Sequence, residues 1–84
     1  MQRNRERKKP MDPNKLLSVF RAAAIRWKDH YDRAVELDDK SLFGKASSAY
    51  ELADDEMRKA FEAAQDLDEW LSKGGFVPDA WKGE

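Results

Sequence analysis

The chain has 84 residues, 16 basic and 17 acidic side chains, a net charge of -1, 40% hydrophobic residues and no cysteine. That length admits one small domain, near the lower limit at which a single core holds without help. Three Trp, two Tyr and four Phe are too many for a chain without a fold. The lack of cysteine excludes disulfide staples and thiolate zinc sites and suits a reducing cytoplasm.

The first segment, residues 1–11, is strongly basic. Arg3, Arg5, Arg7, Lys8 and Lys9 face only Glu6, which leaves -5 on the remainder of a chain whose total is -1. With almost no apolar side chain before Pro10, this segment reads as a flexible basic arm. No apolar stretch follows it, so it is not a signal peptide, and the run from Ala22 to Ile25 is too short to cross a bilayer.

The folded domain is expected over residues 12–84. Asp12 can cap the free amides of a first helical turn, and Pro13 suits the next position, where an N–H would have no partner. Helix 1 is expected over about 13–37. Leu16, Leu17, Phe20, Ala23, Ala24, Trp27, Tyr31, Ala34 and Val35 share one arc at 100° per residue, while Arg21, Arg26, Lys28 and Arg33 face away. Residues 38–41 make a turn in which Asp39 or Ser41 can cap helix 2, expected over about 41–73. A rival start lies at Ser48, which has capping-box spacing to Glu51.

Helix 2 carries the longest pattern in the chain. Leu42, Ala46, Ala49, Ala53, Met57, Ala60, Ala64, Leu67 and Leu71 recur at steps of three and four, the period of one helix face. Gly74 and Gly75 provide a left-handed stop, with Lys73 beside the negative helix end. Helix 1 then spans roughly 38 Å and helix 2 roughly 50 Å at 1.5 Å per residue. Helix 2 overhangs by about two turns, and Leu67, Trp70 and Leu71 need a cover. The tail, residues 74–84 with Phe76, Val77, Pro78 and Trp81, can fold back to supply it. The fold class is therefore all-α: a long antiparallel two-helix hairpin with a C-terminal apolar tail folding back. Phe20, Trp27 and Tyr31 fall opposite Ala60, Ala53 and Ala49, large against small.

No constellation for catalysis, a metal or a cofactor assembles. His30 is the only histidine and lies beside the helix 1 stripe, where it reads as a bordering core residue. The serines form no nucleophile elbow, and Gly74-Gly75 follows a helix, so it is no phosphate cradle. A non-enzymatic protein is expected, with no cofactor and no membrane contact.

Function then has to lie in surfaces. Glu51, Asp55, Glu62, Asp66 and Glu69 form an acidic row on helix 2, with Phe43, Tyr50 and Phe61 along the margin of its apolar arc. Leu52, Ala63 and Trp70 make a smaller patch on the other flank. The row and the aromatic margin are candidate contacts to a partner protein; the margin can also be the edge of an intramolecular core, or serve self-association as a homodimer or a self-assembling structural protein. The arm, Arg3, Arg5, Arg7, Lys8 and Lys9, is a candidate for binding nucleic-acid phosphates, extended by Arg21, Arg26, Lys28 and Arg33. The closing segment from Leu67 to Trp81, with its Trp-Leu-x-x-Gly-Gly-Phe-x-Pro pattern, resembles the ending of small helical proteins of bacteriophages and prophages of Gram-positive bacteria. The resemblance implies a phage or mobile-element product acting inside a bacterial cell and carries over no activity and no site residue. The leading expectation is a phage-type accessory or inhibitor that contacts a host protein in the bacterial cytoplasm through the acidic face of helix 2 and its aromatic margin.

Overall fold

The computed structural model describes residues 12–82. The arm residues Arg3, Arg5, Arg7, Lys8 and Lys9 lie outside the described residues. Two long helices, α1 (Pro13–Asp39) and α2 (Phe43–Ser72), run antiparallel and are followed by a short 3-10 turn, Asp79–Trp81. The hairpin and its returning tail match the expectation from periodicity and helix length.

The start of α1 is set by local chemistry. The Asn14 amide donates to Asp12 Oδ1 at 3.0 Å, and Pro13 fills the first helical position. Its end lies two residues beyond the expected one. There the Leu42 amide donates to the Leu37 carbonyl and the Ser41 amide to the Asp38 carbonyl, both at 2.9 Å. This pattern satisfies the last carbonyls of a helix and requires the first of the two donors along the chain to be left-handed. Ser41 takes that role at φ 63°, where glycine is the usual choice. Ser41 is consequently committed to ending α1 and does not cap α2.

None of the three expected caps of α2, Asp39, Ser41 and Ser48, is used. Leu42 precedes its first residue without any side-chain bond, and the Ser48 box is bypassed because Phe43 to Ser47 are already helical. At the far end the Gly75 amide donates to the Trp70 carbonyl at 2.9 Å and the Gly74 amide to the Leu71 carbonyl at 3.0 Å. Gly74 is left-handed at φ 91°, so both helices stop by the same device. Lys73 stands just past the helix, its ammonium 3.1 Å from Glu69 Oε2.

Packing along the seam is unusual in which side chains it hides. The buried apolar residues are Leu17, Ala23, Ala34, Leu37, Ala46, Ala49, Ala53, Ala60, Ala63 and Leu67, of which seven are alanine. None of the nine aromatic residues is buried. Alanines let two helices approach closely, but the same approach squeezes large side chains out to the flanks. Met57 and Leu42, placed on the stripe by spacing, are 49% and 42% exposed, and Tyr31 and Val35 of α1 are exposed as well. Ala63, read as part of a separate patch, is instead buried. Phe20 borders one pocket with Ala64 and Leu67, one turn along from Ala60, and Tyr31 meets Tyr50 beside Ala49.

The overhang of α2 is covered as its length requires. Trp70 lies edge-on to Phe76, with ring centroids 5.4 Å apart, and its Nε1–H donates to the Phe76 carbonyl at 2.8 Å. Gly75 makes this possible, since a Cβ there would fall within the indole of Trp70. The tail then reaches the start of α1. The Asp79 amide donates to Asn14 Oδ1 at 2.7 Å, and the prolines preceding these two residues, Pro13 and Pro78, are fully buried.

Candidate functional site

A two-helix layer leaves two open flanks, and here they differ in chemistry. One flank is polar. Arg26, which the helical wheel of α1 turns outward, reaches across to Glu56 of α2 with Nε–H donating to Oε1 at 3.0 Å. Lys59 Nζ lies 3.4 Å from the other carboxylate oxygen. Glu56 is the buried charged residue of the described structure. Burial by itself would raise its pKa, but the hydrogen bonds and charges of Arg26 and Lys59 outweigh it, and the carboxyl is held below its ordinary value.

Glu56 is absent from the sequence-based candidates, although a signal existed. It stands three residues after Ala53 and four before Ala60, so a charge occupies seam register and demands a partner. The same flank continues toward the turn as a shallow groove of about 600 Å³ bordered by His30, Arg33, Lys45, Ser48 and Leu52. His30 is half-buried at that border. Among the described residues no three His, Cys, Asp or Glu side chains gather as a metal site.

The opposite flank is apolar. Tyr31 and Tyr50 meet edge-on across the helix pair with centroids 5.7 Å apart, and Trp27 stacks on Tyr31 at 5.5 Å. From Tyr50, steps of seven and four along α2 place Phe43, Met57 and Phe61 on the same side. Phe43 is 63% exposed and Phe61 61% exposed. On α1 the side is completed by Phe20 and Val35. Toward the open end it deepens into a pocket of about 240 Å³ between Leu17, Phe20, Ala64, Leu67, Leu71 and Trp81. The phenol of Tyr50 is pushed up from its usual value of 10.0, first by burial and then by the charges of Asp38, the neighbouring Tyr31 and Asp39.

The aromatic margin Phe43, Tyr50 and Phe61 is thus one half of a wider apolar surface to which α1 contributes. The acidic row is elsewhere. Glu51, Asp55, Glu62 and Glu69 are exposed and Asp66 is half-buried, on a line about 100° around α2 from that margin at 100° per residue. Two of its members are paired, Asp55 with Arg58 at 3.1 Å and Glu69 with Lys73. The basic residues of α1 do not gather either. Arg26 and Arg33 lie on the polar flank, whereas Arg21 and Lys28 edge the apolar one, with Lys28 Nζ 3.2 Å from Asp32. No helix among the described residues is long and apolar enough to cross a membrane. Compared with protein-family models, curated proteins and solved structures, the chain matches none.

Proposed function

We propose that this protein works by binding and not by catalysis, docking a protein through the apolar flank that runs from Phe43 to Phe61 on α2 and includes Tyr31 and Val35 of α1. The observation that carries the reading is the inversion of the core. Alanines occupy the seam while every aromatic side chain keeps part of its surface outside it. An ordinary small monomer hides its aromatics first, because each removes roughly 150–250 Å² from water. A contiguous apolar surface of this kind, edged by charge, is the usual mark of an association site. The resemblance of the closing segment supports only a phage or mobile-element product inside a bacterial cell; with the exposed flank, the reading is an accessory or inhibitor of phage type that acts in the bacterial cytoplasm on a host protein. The acidic row of α2 supplies a second surface for that contact.

The test is site-specific photo-crosslinking in bacterial cells. A photoreactive phenylalanine analogue at Phe61 is expected to give discrete protein adducts. The same analogue at Ile25, exposed on the back of α1, is expected to give none. Adducts at neither position, or equally at both, would refute docking through this flank.

A further inference from the structure

The occupant of the apolar flank follows from area and from charge; we infer that it is a second copy of this chain, packed flank to flank as a four-helix bundle. The inference rests on the reading of that flank as a docking surface and specifies what docks there. The described structure exposes 5923 Å², whereas a compact monomer with the chain's whole mass of 9.7 kDa would expose about 5,100 Å². The excess matches the roughly 800 Å² that each partner contributes to a standard interface. Tyr31, Val35, Phe43, Met57, Phe61 and Trp81 alone present roughly 600 Å² at their recorded exposures, taking about 200 Å² per large side chain.

Charge selects the arrangement. Arg21 and Lys28 stand one heptad apart on the α1 edge of the flank, in row with Val35. Asp54 and Asp68 stand one heptad before and after Phe61 on the α2 edge, and all four are exposed. A two-fold axis parallel to the helices lays each α1 on the α2 of the other copy, so basic edge meets acidic edge. Arg26 and Glu56 show that residues whose numbers sum to 82 lie level across the hairpin. Lys28 of one copy therefore lies level with Asp54 of the other, and Arg21 with Phe61. The alternative axis across the helices sets like charges together. In the selected bundle both acidic rows stay on the outside, open to a further partner.

The experiment is light scattering of the full chain at 1 to 100 μM, paired with thermal unfolding across the same range. The expected result is a mass twice that of the chain and a midpoint that rises with concentration. A monomer at 100 μM with a concentration-independent midpoint would overturn the inference, while crosslinking from Phe61 to a different protein would still uphold docking. Phe61→Glu is expected to abolish the dimer, and Ile25→Glu to leave it intact. A dimeric Phe61→Glu, or equal loss in both variants, would overturn the assigned face. If Phe61→Glu also unfolds, that supports the inference, since an exposed side chain in a stable monomer would tolerate the change. Lys28→Asp should weaken the dimer about tenfold through its two symmetric pairs, and adding Asp54→Lys should restore it. Failure of the second change to restore would overturn the two-fold axis.

Discussion

Replacing Gly75 with alanine should cost far more than a methyl group ordinarily does. The added Cβ would fall within the Trp70 indole, against Cε2 and Nε1, so the ring must leave its place. With it go the 2.8 Å bond from Trp70 Nε1 to the Phe76 carbonyl and the edge-on contact to Phe76. The first is worth about 1 kcal/mol net and the second about another 1 kcal/mol. A loss of about 2 kcal/mol corresponds to a fall of about 8–16 °C in the unfolding midpoint of a domain this size. The other glycines provide contrasts. A Cβ at Gly74 meets open space, but its φ of 91° should still cost about 1–2 kcal/mol. Gly44, helical and with open space around it, should gain about 0.5 kcal/mol as alanine. Far-UV circular dichroism during thermal and urea unfolding, at one protein concentration, measures all three. The decisive comparison is Gly75→Ala in a Trp70→Ala background, where the penalty should shrink below about 0.5 kcal/mol. An undiminished penalty there, or a Gly75→Ala single variant as stable as the parent, would refute the indole as the cause.

Ser41→Gly relieves a left-handed serine at the end of α1 and should stabilise by about 0.5–1 kcal/mol, read as a higher urea midpoint at unchanged slope. Asn14→Ala removes the acceptor for the Asp79 amide and should cost about 1 kcal/mol, with greater hydrogen exchange confined to the tail. Glu56 has its pKa lowered on folding from 4.5, so the unfolded chain binds more protons at acid pH. Its stabilisation is present above that value and is lost as pH falls through the folded pKa. Unfolding free energy followed from pH 7 to 3 should therefore decline less steeply in Glu56→Gln than in the parent; parallel curves would contradict the assignment. Tyr50, with its pKa raised on folding, favours the folded state below pH 10, and that advantage fades as pH rises through the folded value. An ultraviolet titration should resolve one tyrosine ionising above pH 10.

The local sequence determined where α1 begins, where α2 stops and roughly how long both are, but not the uncapped start of α2 or the left-handed Ser41 that ends α1. Asp12-Pro13, the three-and-four spacing from Ala46 to Leu67 and Gly74-Gly75 act within a few residues of themselves, and so does the overhang that obliges the tail to return. The candidate site was legible only in part. Phe43, Tyr50 and Phe61 stand out by spacing on α2, but Tyr31 and Val35 join them only once α1 is set alongside. Tertiary structure decided which side of each apolar arc is covered, because periodicity defines an arc without saying where a neighbour lies across it. That is why Met57 is exposed, Ala63 buried and Glu56 paired with Arg26 from thirty residues away. It also decided the exchange of roles between small and large side chains. Alanines on α2 allow close approach, and two helices alone provide no third wall, so Tyr31, Phe43, Tyr50 and Phe61 are displaced from the seam onto one open flank.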